Sequence, residues 1–568
     1  MNSLNIDPRN SIDRSPVWRG LVLIMVVLAC FALSPTAQAQ DGGYPGNNTA
    51  EGDLALYNII TNSANTGGDN TAIGTYALYF DTTGYYNTAS GVGALESNTT
   101  GYYNTATGLN ALNFNRTGSY NTANGAYALY SNSASNNTAN GYTALYSNTS
   151  GVFNTATGVQ ALYKNTSGTD NTATGYFALV NNTTGYSNTA DGDSTLSSNT
   201  TGGGNTAAGY QALYSNTNGN TNTATGDGAL YFNTSASNNT AAGYQALFNN
   251  TTGTQNTATG VNALLNNTTA NNNTAAGYQA LSNNITGTQN TATGVNALLN
   301  NTNANNNTAT GFQALYGNTT VNGVSGNNNT ADGVNALYHN TTGINNTGEG
   351  FQALYRNTGS NNIGLGSNAG SSLTTGGNNI DIGNVGVAAE ASTIRIGGSA
   401  QTRTFMAGIR GKATGKTDAI PVIIDSAGQL GTASSSQRFK KEIKPMDRAS
   451  EAILALKPVT FHYKTDSTGT PQFGLIAEEV AKVNPDLVVR DDDGKIYTVR
   501  YDAVNAMLLN EFLKQHRKVE EQDCQLQKQT ATIAKQERQI EALTTGLQKV
   551  NAQVEMSRSA SQIVGNNQ

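Results

Sequence analysis

The sequence predicts a mostly β protein built from a trimeric shaft of β-roll or β-helix repeats, a small α+β domain and a C-terminal coiled coil. Three observations predict this fold class. A phrase of 17 residues, N-T-A-x-G-x-x-A-L-x-x-N-T-T-G-x-x, recurs from Asn70 to Asn346. A more charged segment of mixed composition follows at residues 434–504. An apolar heptad pattern then runs towards the C-terminus. A fixed period of this length is typical of stacked copies of one unit.

The repeat predicts short strands joined by tight corners. Its period is 17 residues apart from one step of 16, which ends at Asn137, and one step of 22, which ends at Asn329. Each repeat predicts two strands, N-T-A and x-x-A-L, with N-T-T-G as a turn because Asn and Gly tolerate positive φ. The Leu of Ala-Leu is expected to stack into an apolar column, and the Asn to form a hydrogen-bonded ladder.

The oligomeric state of the shaft follows from how much one coil can bury. A single coil of small residues is expected to bury little, so we expect three coils wound about one axis. A monomeric β-solenoid is the alternative that composition leaves open. The sequence likewise leaves open whether the coil has β-roll or β-helix geometry.

Composition excludes some partners. Only 12% of the residues are charged and the net charge is −6. Between residues 66 and 360 the basic residues are Arg116, Lys164 and Arg356. Because phosphate backbones are bound by clustered Lys and Arg, we expect no nucleic-acid partner for the shaft. The regular return of Ala-Leu to one phase also argues against disorder, which usually accompanies high net charge.

The N-terminus predicts export. An apolar run at residues 21–33 follows two arginines, and Ala37-Gln38-Ala39 supplies a small-x-small cleavage pattern. The run is short for a membrane span of about 20 residues, so we predict a signal peptide at 1–39 and no transmembrane segment after its removal. The protein is then secreted or held at the bacterial cell surface. Only Cys524 remains after cleavage, so no intrachain disulfide is expected.

Composition and period divide the chain into seven segments. Beyond residue 365 the repeat fades, and short strands are expected at 380–382 and 394–396. The segments are a signal peptide at 1–39, a polar lead-in at 40–65, the β repeats at 66–365, a β-rich connector at 366–433, a small domain at 434–504, a coiled-coil helix at 505–556 and a polar tail at 557–568.

The tail helix carries seven consecutive apolar residues at heptad position a. These are Phe512, Val519, Leu526, Ile533, Ile540, Leu547 and Val554. Four of the d positions are Gln, which can hydrogen-bond around a symmetric axis and fix the register and number of strands. A trimer fits both this pattern and the shaft.

Three blocks in the small domain carry a resemblance. They are Ser434-Ser435-Ser436-Gln437-Arg438-Phe439-Lys440, Leu456-Lys457-Pro458-Val459, and Gly474-Leu475-Ile476-Ala477-Glu478, followed by the long helix. In this order, over about residues 434–520, the chain resembles the intramolecular chaperone auto-processing domain of phage tailspikes and endosialidases. That domain is a self-cleaving serine peptidase.

The resemblance implies a Ser–Lys dyad. Ser435 matches the nucleophile, Lys440 matches the general base, and the bond broken lies between Ser434 and Ser435. A hydroxyl needs a base to become nucleophilic, and a desolvated Lys can serve. The run of three serines leaves the register open by one residue. We expect a structural role for His462, a surface position for Glu478, and no cofactor or metal site.

The repeats themselves resemble, over residues 66–365, the heads of trimeric autotransporter adhesins. We therefore predict an exported homotrimeric, tail-fibre-like surface adhesin whose C-terminal domain templates trimerisation and then cleaves itself. The partner expected for such an adhesin is a cell-surface or glycan target. One alternative is an uncleaved fibre with an inert trimerisation domain. A second is an ice- or glycan-binding solenoid, ranked last because no two-column T-x-T array is expected.

Overall fold

A computed structural model of the chain describes residues 44–409, 412, 418–425, 427–491 and 493–563. The predicted signal peptide at 1–39 and the last five residues of the polar tail lie outside the described residues. The chain forms two compact units, one ending at Thr404 and one beginning at Phe405. Each unit is described by itself.

The first unit is a parallel β-solenoid in which every turn adds one short strand to a single 21-stranded sheet. Neighbouring strands pair in register, so that Thr206, Thr223 and Thr240 lie side by side on consecutive turns. The strands are Thr49–Glu51, Thr71–Ile73, Thr88–Ser90, Thr105–Thr107, Thr122–Asn124, Thr138–Asn140, Thr155–Thr157, Thr172–Thr174, Thr189–Asp191, Thr206–Ala208, Thr223–Thr225, Thr240–Ala242, Thr257–Thr259, Thr274–Ala276, Thr291–Thr293, Thr308–Thr310, Thr330–Asp332, Thr347–Glu349, Ile363–Leu365, Ile380–Ile382 and Ile394–Ile396. A short helix, Tyr57–Thr61, lies in the first turns.

Most strands of the solenoid are followed by a glycine that the stacking of turns requires. Gly158 has a φ of 133°, and a Cβ built on it would collide with the carbonyl of Gly175 on the next turn. The x-x-A-L segment that we predicted as a second strand is instead a turn. Leu162, for example, has a φ of 54°, in the left-handed region that side chains rarely adopt. The repeat therefore contains one strand and not two.

The core of the solenoid lies inside each turn of one chain. Ala156 from the strand and Ala161 and Leu162 from the turn are fully buried, and the pattern repeats along the coil. The predicted Leu column is therefore confirmed. The expectation that a single coil buries little is wrong, because sharp corners fold the Ala-Leu segment inward against the strand of the same coil. Full burial of a Leu side chain contributes about 2 kcal/mol.

Two ladders of buried Asn fasten one turn to the next, where the sequence predicted one. In the first ladder, Asn188 donates its backbone N–H and its Nδ2–H to Oδ1 of Asn171, both at 3.1 Å. Asn188 Nδ2 also donates to the carbonyl of Gly202, at 2.8 Å. In the second ladder, Asn199 Nδ2 donates to Asn182 Oδ1 at 2.7 Å and to the same Gly202 carbonyl at 3.0 Å. The buried amides of these two ladders are thus paired rather than costly.

The longer repeat step of 22 residues is absorbed by a hairpin. Strands Thr320–Val321 and Val324–Ser325 pair antiparallel across an Asn322-Gly323 turn in which both residues have positive φ, as two-residue hairpin turns favour. The sheet register continues past the hairpin, since Thr308 pairs with Thr330.

The last two strands of the sheet carry a charged residue at the middle position, where the other strands carry Ala or Gly. Asp381 is fully buried, and its neighbour in the next strand is Arg395. Arg395 forms an ion pair with Glu390, at 2.8 Å. Burial and then the Glu390 charge raise the pKa of Asp381 to about 6, against the opposing effect of Arg395.

The second unit is a small mixed α and β structure. Its core is formed by Val480, Leu487, Val499 and Met507. Antiparallel pairs form between Ile423–Ile424 and Leu430–Gly431, Val459–Phe461 and Gln472–Gly474, and Val488–Arg490 and Ile496–Val499. The helices are the 3-10 segments Gln437–Phe439, Asp447–Ala455 and Pro485–Leu487, and the α-helices Ala477–Val483 and Tyr501–Ile563.

Candidate functional site

The candidate site is a serine and a lysine brought together by one 3-10 turn. Gln437–Phe439 forms that turn, closed by hydrogen bonds from the Phe439 N–H to Ser436 O and from the Lys440 N–H to Gln437 O. The turn folds the chain back, so that Lys440 Nζ lies 3.1 Å from Ser435 Oγ and donates a hydrogen bond to it. The structure thus brings together the two residues named from the sequence.

The surroundings of this pair are open to solvent in the single chain. Ser434, Ser435 and Lys440 are all exposed. His462 and Glu478 are exposed as well, and in the described part of the chain neither forms a hydrogen bond or an ion pair with Lys440. A lysine acts as a base only where desolvation favours its neutral form.

A second polar cluster, which sequence reasoning missed, is buried close to the start of the C-terminal helix. Ser450 is fully buried and donates a hydrogen bond to the carboxylate of Glu511. Asn510 Nδ2 donates to Ser450 Oγ at 2.7 Å. Lys514 Nζ donates to Glu511 at 2.6 Å and to Ser450 at 3.3 Å. The cluster fastens the helix to the 3-10 segment Asp447–Ala455.

The hydrogen bond from Lys514, and then that from Ser450, lower the pKa of Glu511. The same carboxylate raises the pKa of Lys514. Sequence spacing gave no signal for this cluster, because Ser450 and Glu511 are 61 residues apart.

The heptad seam of the C-terminal helix is unpartnered in the single chain. Its a residues Phe512, Leu526 and Ile540 are 65%, 61% and 62% exposed. An apolar groove lined by Pro458, Phe473 and Leu508, among others, lies where the helix packs on the small domain. Exposed apolar surface on this scale is typical of an interaction site.

The outer face of the sheet carries threonine at the first position of 18 strands, from Thr49 to Thr347. The third position is also Thr in seven of them, for example Thr257–Thr259, and the Ala between the two points into the core. Because Ala, Asn, Ser and Asp replace Thr at the third position of many other strands, the outer face carries one complete column of Thr and a second column that is interrupted.

Comparison with known families gives a match to one segment of the chain, and that segment includes Ser435 and Lys440. Residues 435–489 match the family described as chaperone of endosialidase. Searches of curated proteins and of solved structures gave no match. Among the described residues, no helix combines the length and apolar composition that a membrane span requires. A long repeat solenoid followed by a chaperone segment fits the class of tail-fibre-like proteins.

Proposed function

We propose that the chain is the subunit of an exported homotrimeric surface fibre whose C-terminal domain aligns three copies and then cleaves itself off. The observation that carries the catalytic part is the 3.1 Å contact from Lys440 Nζ to Ser435 Oγ, within the segment that matches the chaperone family. Lys440 contacts the middle serine of the three, which supports Ser435 as the nucleophile.

The chemistry of cleavage follows from this contact. Neutral Lys440 takes the proton of Ser435 Oγ, which attacks the carbonyl carbon of Ser434. The peptide C–N bond breaks, and the proton passes to the amino group of Ser435. Water then hydrolyses the ester, leaving a Ser434 carboxylate and restoring the Ser435 hydroxyl. This use of Ser and Lys is a known variant of serine-protease logic.

Assembly supports this proposal physically. Lys440 is solvated in the single chain, and a partner chain that covers it would favour its neutral form. The exposed heptad seam supplies the surface through which copies of the helix would associate. Alignment at the C-terminus would also fix the register of three long shafts before they associate along their length.

A denaturing gel of the full chain tests cleavage. We expect a fragment of residues 435–568 whose N-terminal residue, by sequencing, is Ser435. Ser435→Ala and Lys440→Met should abolish the fragment. The neighbours offer matched controls, since Ser436→Ala and Lys441→Met should leave it unchanged. Full-length chain alone in the wild type would reject self-cleavage and favour the uncleaved fibre.

The Thr residues on the outer face of the sheet favour ice binding as a second candidate function. The complete column has Thr hydroxyls about 4.8 Å apart along the coil, and the interrupted column lies two residues away across the strand. These spacings are close to oxygen repeats in hexagonal ice. A thermal-hysteresis measurement on the full chain tests this candidate. Zero hysteresis would remove it, as would an unchanged value after Thr257→Lys and Thr291→Lys.

A further inference from the structure

One face of the solenoid carries a periodicity of two turns that the coil itself does not require. The residue after the strand-ending Gly is aromatic on alternate turns over thirteen consecutive turns. These residues, here called the ring row, are Tyr142, Tyr176, Tyr210, Tyr244, Tyr278, Phe312 and Phe351. The intervening turns carry Val159, Asp193, Asp227, Val261, Val295 and Val334.

The ring row is exposed, and its backbone is fixed by hydrogen bonds to the next turn. Its seven side chains are between 46% and 53% exposed. The carbonyl of each of these residues accepts a hydrogen bond from the next turn, as in Asn262 N–H to Tyr244 O at 2.9 Å and Asn335 N–H to Phe312 O at 2.9 Å. The second of these bonds shows that the row continues past the hairpin insertion.

Steric crowding does not explain why the rings alternate. Elsewhere on the solenoid, rings on consecutive turns stack directly, as Tyr214 on Tyr231 and Tyr231 on Phe248, with centroids 5.1 Å apart. That second set, here called the stacked column, shows that the coil accepts a ring on every turn. In the described part of the chain, Tyr176 is the one member of the ring row with a neighbouring ring, Phe177.

The spacing of the ring row matches a ligand with a repeat of two strand spacings, about 9.6 Å. An extended β-1,4-linked glucan turns over at each sugar, so that equivalent sugar faces recur once per disaccharide, at close to this distance. The C–H face of a pyranose packs on an aromatic face, and seven such platforms in a line would bind one chain along its length.

The turns between the rings favour a glucan over an acetamido sugar. Val261, Val295 and Val334 offer no polar group between the platforms, while Asp193 and Asp227 can accept hydrogen bonds from sugar hydroxyls. Neither residue type donates to the carbonyl of an acetamido group. We propose that the ring row is a docking surface for an extended β-1,4-glucan such as cellulose.

Retention on microcrystalline cellulose tests the proposal, with chitin and starch granules as comparison solids. We expect the full chain to be retained on cellulose in preference to both. The triple variant Tyr210→Ala, Tyr244→Ala, Tyr278→Ala should weaken binding by about tenfold or more, since each ring contributes a separate contact.

Two variants separate ring spacing from ring content. Tyr214→Ala, Tyr231→Ala, Phe248→Ala removes three rings from the stacked column and should leave retention unchanged. The exchange Tyr244→Val with Val261→Tyr keeps composition but breaks the two-turn spacing, and should weaken binding. Circular dichroism shows whether the triple variant folds. If it does not fold, the exchange variant alone tests whether ring spacing determines binding to cellulose.

Three results would overturn the proposal. They are no retention of the wild type on cellulose, retention unaffected by the exchange, and chitin retention equal to or above that on cellulose. The ring row belongs to the solenoid and does not depend on cleavage or trimerisation. Retention and the cleavage gel are separate readouts on one protein, so either proposal can fail alone.

Discussion

At the scale of single residues, the solenoid depends on polar side chains that are buried and paired. The second Asn ladder starts from a carboxylate, because Asp81 heads the column that Asn98 and Asn115 continue on the next turns. Asp81 Oδ1 accepts hydrogen bonds from Asn98 Nδ2 at 2.9 Å and from the Gly84 N–H at 3.1 Å. Burial raises the pKa of Asp81 from 3.8 to about 7, although these hydrogen bonds lower it in part.

This carboxylate makes the first turns sensitive to pH. Because its pKa in the folded state lies above the unfolded value, Asp81 favours folding at low pH, and this stability is lost as the pH rises from about 4 to about 7. Asp81→Asn should abolish the dependence and stabilise the first turns at pH 8 by on the order of 1–4 kcal/mol. Hydrogen exchange of the amides of Thr88 and Thr105 at pH 5 and pH 8 measures the effect.

The matched control is Asp170→Asn, which removes an equal charge from an exposed corner of the coil. It should leave the exchange of the first turns unchanged at both pH values. An equal pH dependence in wild type and Asp81→Asn would contradict the assignment.

Much of the residue-level design was predictable from the 17-residue period. Period alone indicated the Leu column and the Asn ladder, because a residue that recurs once per turn must stack on itself. It did not indicate that Leu162 has left-handed backbone geometry, since propensity disfavours it and only the closing of the turn imposes it. The Ser450 cluster was not predicted for a different reason. Ser450 and Glu511 are far apart in the sequence and meet only where the C-terminal helix packs on the 3-10 segment.

At the scale of elements, one turn of the coil is the unit of stability. A turn contacts only its neighbours, so a defect should loosen the coil locally rather than unfold it throughout. Leu213→Ala, in the middle of the buried column, should cost about 2–5 kcal/mol through lost burial and a cavity. Hydrogen exchange should accelerate in the strands beginning at Thr206 and Thr223 and remain slow several turns away.

Tyr210→Ala is the matched control for that change, on the same turn but with a half-exposed side chain. It should alter stability by about 0.5 kcal/mol or less. If both variants gave equal destabilisation, the stability of the turn would not come from its interior.

A second prediction at this scale concerns how the C-terminal helix is held against the rest of the second unit. Glu511 has a lowered pKa, so its contribution to stability is present above its ordinary pKa and is lost as the pH falls. Glu511→Ala would leave Ser450 and Lys514 without their shared acceptor and should lower the melting temperature of the second unit at pH 7. The difference from wild type should shrink towards pH 3.

Glu520→Ala, further along the same helix and exposed, is the control for this variant. It should melt like wild type at both pH values. A melting temperature for Glu511→Ala equal to wild type at pH 7 would show that the cluster does not hold the helix.

At the scale of the whole molecule, the two units differ in what they leave uncovered. Each solenoid turn closes its own Ala and Leu core, whereas the C-terminal helix exposes every apolar a residue of its heptads. The sequence predicted both apolar patterns but not this difference. Periodicity shows which residues share a face, and only the path of the backbone decides whether that face turns inward or outward.

The helix is therefore where association of copies should be decided. Light scattering of the full Ser435→Ala chain should give the mass of a trimer, and removal of residues 434–568 should leave single solenoids. Ile533→Asp with Ile540→Asp places charges in the seam and should abolish the trimer. Ala531→Asp, at an outer heptad position of the same helix, should leave the mass unchanged. A trimeric mass for the seam variant, or for the chain made without its C-terminal segment, would show that the shafts associate without being aligned by the tail, because no apolar seam would then bring the three helices together.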